Sequence, residues 1–167
     1  MPEKETMQRA RRDKRQGKAP TTQAGEFIRE EMHHIREGKH GARSSRQAIA
    51  IGLSKARRAG VELAPPQRGA ATEKTRKGAA RDYARGHSHS SQKKSATRSR
   101  ATLGALKREG HAAASSQALS AQARSASRRR SSTQRSAAAR KAVQTKGPGV
   151  RSAAARKAAH TRALHAH

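Results

Sequence analysis

Most of the large apolar residues of this chain lie in one region, which limits how much of the chain can build a core. They form two clusters, around residues 27–35 and 49–63, and both precede the pair Pro65-Pro66. The chain has one Phe, one Tyr and no Trp, and Ala supplies most of its 32% hydrophobic content. Because alanine buries little area and hydrophobic stabilisation scales with buried area, we expect a small core. The residues concerned are Phe27, Ile28, Met32, Ile35, Ile49, Ile51, Leu53, Val61 and Leu63.

The charge distribution changes at the same place. Residues 1–66 hold fifteen Lys and Arg against eight Asp and Glu, whereas residues 67–167 hold twenty-four against three. A chain with a formal net charge of +28 repels itself unless a polyanion neutralises it. We therefore predict an all-α protein with a small helical head over 1–66 and a low-complexity, largely disordered basic tail over 67–167.

The sequence of the head predicts a helical hairpin or a three-helix unit. Apolar periodicity predicts helices over about residues 22–37 and 44–58, and a charged helix precedes them over 3–17. Ser44 or Ser45 supplies a cap for the third helix. Gly52 lies on its apolar face at a cost of about 1 kcal/mol of helix propensity relative to Ala, which indicates the close approach of another helix. The turn between the second and third helices is longer than in a helix-turn-helix DNA reader, so base-specific recognition is disfavoured.

The tail contains a repeat. Residues 135–147 (RSAAARKAVQTKG) and 151–163 (RSAAARKAAHTRA) form a near repeat at a spacing of sixteen residues. Gly147-Pro148-Gly149 lies between them and would interrupt a continuous helix. Each copy is rich in alanine but too short for stable isolated helix, so we expect it to become helical on a phosphate backbone.

A fainter echo of the head spans residues 79–126. The segments REGKHGARSS and GLSKARRAG of the head correspond to REGHAAASS and ALSAQARSA after Lys107, in the same order. ARRDKRQG near the N-terminus similarly matches AARDYARG over 79–86. These matches favour a degraded duplication of the head, with chance similarity in a biased composition as the alternative.

The stretch RQAIAIGLSKARRAG (46–60), preceded by EEMHHIREGKHG (30–41), resembles the signature of a family of small basic bacterial proteins that carry a domain of unknown function. The resemblance covers residues 24–63. It implies a bacterial origin and a small helical unit, and it implies no activity. The tail is similar in composition to linker-histone tails and bacterial histone-like tails.

Clusters of Lys and Arg recur along the chain, and such residues neutralise phosphates without reading sequence. We therefore expect sequence-independent DNA binding, of the nucleoid-associated or histone-like kind. The alternatives are an RNA- or ribosome-associated protein and a protein-binding adaptor with a basic tail. The candidate DNA-binding residues are Arg57, Arg58, Lys93, Lys94, Lys107, Arg108, Arg128, Arg129, Arg130, Arg140, Lys141, Arg156 and Lys157.

The sequence gives less support to other classes of function. The chain has no Cys, no Ser/His/Asp context and no glycine-rich phosphate loop, so we expect no catalytic residue and no enzyme activity. Carboxylates and imidazoles gather at Glu30, His33, His34, Glu37 and His40, a spacing that can hold zinc. We interpret them as solvated side chains paired with arginine and expect no metal and no cofactor. With no membrane-spanning run and no secretory signal, we expect a cytoplasmic, nucleoid location and no membrane partner, and self-association stays open.

Overall fold

The computed structural model describes residues 2–88 and 95–164. It confirms the all-α class: seven α-helices and one short 3-10 helix, with no strand in the described ranges beyond a single bridge between Arg68 and Ala71. Two compact units are present, Met1–Gln122 and Ala123–His167. The helices are α1 (Lys4–Arg15), α2 (Pro20–Arg36), α3 (Ser45–Arg58), α4 (Glu73–His87), α5 (Ala96–Lys107), the 3-10 helix (Ala112–Ala114), α6 (Ser116–Arg128) and α7 (Ser132–Leu164).

The helices expected over 22–37 and 44–58 are present as α2 and α3. The Ser44 side chain accepts a hydrogen bond from the backbone N–H of Gln47 at 3.2 Å, which confirms the predicted cap. The backbone N–H of Arg43 in turn donates to Gln47 Oε1 at 2.9 Å. This reciprocal pair fixes the point at which α3 leaves the preceding loop.

The core consists of two small clusters toward the two ends of the α2–α3 pair. Phe27 and Ile35, both fully buried on α2, each belong to one of them. Alanine fills most remaining positions, as the composition requires. One cluster contains Met32, Ile35, Ala42, Ala48, Ala113 and Ala114, and the other contains Ala10, Ala24, Phe27, Ala56 and Val61.

Gly52 lies where α3 crosses α2, and the predicted close approach is confirmed. A Cβ atom at this position would stand 2.8 Å from Cα of Ile28 and 3.0 Å from its backbone nitrogen. Both are main-chain atoms that cannot move independently of α2. The glycine therefore sets the separation of the two helices.

The first unit extends past Pro65-Pro66, the boundary suggested by composition, because α4 packs on α3. Gly86 of α4 lies so close to the carbonyl group of Arg57 that a Cβ would collide with it. Ser54 also donates a short hydrogen bond to the Asp82 carboxylate. These contacts use small and polar residues, so they leave little apolar pattern in the sequence.

The segments matched as an echo of the head are brought into contact. The backbone N–H groups of Gly41 and Ala42 donate to the carbonyls of Leu106 and Gly110, at 2.9 and 3.0 Å. In both copies an Arg-Glu-Gly sequence follows a helix end and a Ser-Ser pair precedes the next helix. Ser115 caps α6 by accepting a hydrogen bond from the backbone N–H of Ala118 at 3.1 Å. The duplication itself stays a prediction.

The expectation of a largely disordered tail differs from the structure, in which the described tail residues are mostly helical. The tail is rich in Ala, Arg and Lys, which have the highest helix propensities. Serine marks the starts of α5, α6 and α7: Ser95, Ser115 and Ser131 each accept a bond from a backbone N–H three residues later. Ser131 forms a complete capping box, because its own N–H donates to Gln134 Oε1 at 3.2 Å.

The last helix, α7, carries the sixteen-residue repeat and is interrupted where the sequence predicted. Gly147 has φ 64° and ψ 170°, outside the helical region, and Pro148 follows it. The break separates a first arm, residues 132–146, from a second arm, residues 148–164. Each arm holds one copy of the basic repeat.

Candidate nucleic-acid interface

The strongest concentration of unpaired charge lies in the C-terminal third of the chain. After Glu109 the sequence contains twelve Lys and Arg and no Asp or Glu. Every residue of α7 is exposed except the partly buried Gly147. No acidic side chain within α7 can therefore neutralise its basic ones. Those basic residues are Arg135, Arg140, Lys141, Lys146, Arg151, Arg156, Lys157 and Arg162.

The spacing of these residues distributes charge around the whole helix. Basic side chains recur at intervals of about five residues within each arm. Since an α-helix turns once per 3.6 residues, five residues advance the direction by about 140° beyond a full turn. Arg135, Arg140 and Lys141 thus point in three well-separated directions, and Arg151, Arg156 and Lys157 do the same on the second arm. Neither arm has an apolar stripe to bury against another helix.

Four of the predicted residues lie on α7, and the repeat itself identifies four more. Arg140, Lys141, Arg156 and Lys157 are exposed, as a phosphate contact requires. The clusters alone did not identify the other four as candidates. The sixteen-residue periodicity would have found them, because both copies keep a basic residue at each of these positions. The additional residues are Arg135, Lys146, Arg151 and Arg162.

The triplet Arg128, Arg129 and Arg130 lies at the junction of α6 and α7 and is exposed. The carbonyl of Arg130 accepts a bond from Arg135 Nη1 at 2.8 Å, which links the triplet to the start of α7. These guanidinium groups continue the charge of the first arm toward the N-terminus. Lys107 and Arg108, at the end of α5 in the first unit, are also exposed. Lys93 and Lys94 lie outside the described residues.

Arg57 is in a different environment from that predicted. Its side chain is nearly buried, with 8% of the residue exposed. Nε donates to the carbonyl oxygen of Leu63 at 3.1 Å, and Nη2 donates to that of Ala64 at 3.4 Å. Burial lowers the pKa of this guanidinium, with Asp82 acting in the opposite direction. Arg57 therefore holds the chain after α3 and offers little to a phosphate.

Arg58 and many other basic residues of the first unit have acidic partners. Arg58 Nε lies 3.7 Å from Asp82 Oδ1 and 3.2 Å from the carbonyl oxygen of Ser54. On α4, the hydrogen bond from Arg76 lowers the pKa of Glu73. Further pairs are Arg9 with Glu26, Lys14 with Glu62, Lys18 with Asp13, Arg29 with Glu26 and Lys55 with Glu30 and Glu31.

Neither aromatic residue is placed to stack on a nucleobase. Phe27 is fully buried in the core. Tyr83 on α4 stacks against the His87 ring, with the ring centroids 4.1 Å apart. Base-stacking recognition of single strands depends on aromatic platforms, so phosphate contact is the mode that these residues favour.

No family model, curated protein or solved structure matches this chain. In the described ranges, no helix combines the length and the apolar character needed to cross a bilayer.

Proposed function

We propose that this chain is a sequence-independent DNA-binding protein that grips phosphates through α7. One observation carries the proposal: two helical arms expose basic side chains in all directions and carry no acid. The like charges of such an arm repel one another unless negative charge surrounds the arm. A groove of duplex DNA, with a phosphate strand on each side, provides that surrounding.

The dimensions of the arms favour DNA over RNA. A helix with its side chains measures about 10–12 Å across, and the major groove of B-DNA is about 12 Å wide. The major groove of A-form RNA is deep and too narrow for such a helix.

The two units have separate roles in this proposal. The first unit contains all eleven acidic residues, pairs several of its basic side chains with acidic partners, and supplies a folded body that sets spacing or self-association. The second unit supplies the electrostatic attraction. We further propose a nucleoid-associated role in a bacterial cytoplasm, without enzymatic activity; the bacterial origin is what the resemblance of residues 24–63 implies.

Salt-dependent binding to a labelled duplex tests the proposal. Each phosphate neutralised should contribute about −0.9 to the slope of log affinity against log salt concentration. Replacing the four basic residues of one arm with Gln should make the slope shallower by about 3 to 4 units if all of them contact phosphate. The first variant changes Arg135, Arg140, Lys141 and Lys146, and the second changes Arg151, Arg156, Lys157 and Arg162.

A matched control places Gln at four neutral, exposed positions of the same arms: Ser136, Thr145, Ser152 and Thr161. This variant keeps the charge and should keep both affinity and slope. Two duplexes of unrelated sequence should bind equally. Equal loss in the control, a slope unaffected by charge removal, or preference for duplex RNA over DNA would each contradict the proposal.

A further inference from the structure

A cluster of potential metal ligands lies in the first unit, away from the basic arms. One ligand atom each from Glu31, His34 and His40 lies within 4.8 Å of the others. Glu31 and His34 project from α2, and His40 comes from the loop that follows it. In the part of the chain that the structure describes, this is the one group of three such side chains that meets this distance.

The Glu31 carboxylate is enclosed, and one of its two oxygens accepts no hydrogen bond. Its side chain is 1% exposed, and Oε1 has no hydrogen-bond partner within the described residues. Lys55 Nζ forms an ion pair with Oε2 at 2.6 Å. A buried carboxylate is costly unless its charge is compensated and its oxygens are coordinated. Lys55 is paired with Oε2, whereas Oε1 faces His40.

The charge of this region is not balanced by Lys55 alone. The same Nζ lies 3.4 Å from Oε1 of Glu30, whose side chain is also 1% exposed. The second oxygen of Glu30 accepts a bond from the backbone N–H of Glu3 at 3.1 Å. Two buried carboxylates therefore share one ammonium group. A further positive charge beside Glu31 Oε1 would neutralise the cluster.

The hydrogen bonding of His40 indicates where a further positive charge would lie. Its Nδ1 lies 3.1 Å from the carbonyl oxygen of Gly41. A carbonyl only accepts, so Nδ1 carries the proton, and in a neutral ring Nε2 presents its lone pair. Nε2 lies 3.3 Å from Glu31 Oε1. With the ring neutral, two acceptors face each other at this distance, and either a cation between them or a proton on Nε2 would remove their repulsion.

We propose that Glu31 Oε1, His40 Nε2 and one ring nitrogen of His34 bind a zinc ion. With zinc–ligand bonds of about 2.0–2.1 Å, neighbouring ligands of a tetrahedral site lie about 3.3 Å apart. This matches the separation of His40 Nε2 and Glu31 Oε1. Two imidazoles and one carboxylate form a usual donor set for zinc. The site does not depend on the proposed DNA binding.

The surroundings supply the outer contacts that a zinc site needs. The Gly41 carbonyl orients His40, and Glu3 Oε1 lies 2.8 Å from His34 Nε2. A carbonyl and a carboxylate behind the ligating histidines fix their rings and raise their basicity. Bound zinc would tie the loop after α2 to α2 itself, and binding energy of this kind adds to folding energy.

Metal uptake by the full chain tests the site. The purified protein is saturated with zinc, separated from weakly bound ions by a mild competing chelator, and analysed for bound metal. Wild type should retain one equivalent, and cobalt substituted for zinc should give the absorption spectrum of a tetrahedral site. His34→Ala and His40→Ala should each reduce retention at least tenfold.

Two controls separate this site from the other histidines. His33 lies on the same helix with its side chain 65% exposed and its Nε2 2.9 Å from Glu37 Oε1, so His33→Ala should retain the ion. A variant in which His87, His89, His165 and His167 become Ala should also retain it. Loss in either control, or no equimolar retention by wild type, would overturn the proposal. Retention of none is the result expected if a proton on His40 supplies the charge instead.

If a variant folds poorly, thermal unfolding provides a second test of the zinc site. Zinc that binds only the folded state raises the melting temperature. The increase should appear in wild type and His33→Ala and be absent in His40→Ala. A zinc-dependent increase that is equal in His40→Ala and wild type would contradict the assignment of the ligands.

Discussion

The guanidinium of Arg57 donates to the carbonyl oxygen of Leu63 at 3.1 Å and thereby fastens the chain leaving α3 back onto that helix. A second donation, from Nη2 to the carbonyl of Ala64, lies at 3.4 Å. Gly86 of α4 packs against the carbonyl of Arg57 itself. One residue thus joins the end of α3, the segment after it and the end of α4.

Arg57→Gln should destabilise the folded chain by about 1–3 kcal/mol, because two carbonyl groups lose a charged donor. Arg58→Gln removes the same charge from a more exposed side chain and should cost no more than about 1 kcal/mol. Urea unfolding followed by circular dichroism measures both. Equal destabilisation by the two variants would show that Arg57 has no special structural role.

Gly52→Ala should destabilise by about 1–3 kcal/mol, because the new methyl group meets the backbone of Ile28. Helix propensity alone would instead predict that this substitution stabilises the protein. Gly78, inside α4, has open space where a Cβ would be placed. Gly78→Ala is therefore the matched control and should stabilise by about 0.5–1 kcal/mol. Stabilisation by both variants would mean that α2 and α3 are farther apart than described.

Ser131→Ala should reduce the helicity of α7, because the first turn loses its capping box with Gln134. The expected cost is about 1 kcal/mol. Ser136→Ala, in the exposed interior of the same helix, should instead raise helicity slightly, since Ala has the higher propensity. Circular dichroism of both full-length variants compares them, and duplex DNA should restore much of the helix signal lost in Ser131→Ala. Loss of helicity in Ser136→Ala alone would contradict the capping role.

Lys55→Met should destabilise by about 3–5 kcal/mol, because Glu30 and Glu31 then lack their ammonium partner in a buried site. Adding Glu31→Gln to Lys55→Met should recover part of this loss. A double-mutant cycle from urea unfolding of the four proteins gives the coupling. Additive effects would indicate that Lys55 and Glu31 do not interact.

Sequence patterns predicted the parts of the fold that depend on apolar periodicity. Ile28 and Ile35, and likewise Ile49 and Leu53, repeat at helical spacing, so α2 and α3 could be placed and Gly52 could be assigned to their crossing. The packing of α4 on α3 could not be predicted, because Gly86, Ala79 and Asp82 make it with little hydrophobic area. The helices of the tail were missed because net charge was given more weight than alanine propensity and the serine caps.

The candidate sites show the same distinction between local and tertiary information. A cluster of two arginines predicted phosphate contact for Arg57, but the carbonyls that occupy this side chain come from residues after α3. For the proposed metal ligands, the sequence grouped Glu30 with His33, His34, Glu37 and His40, whereas the fold brings Glu31 to His34 and His40. The i,i+3 spacing of Glu31 and His34 was visible in the sequence. The position of His40 depends on a loop whose path the sequence does not specify.

The sixteen-residue register of α7 also bears on how such a protein can evolve. A break at Gly147 separates two copies that carry four basic residues each, and within α7 no side chain of either copy is buried. In-frame gain or loss of one copy would change the charge by four without altering a single core contact. Affinity for a polyanion can therefore be adjusted in whole modules, while selection on the folded unit proceeds independently.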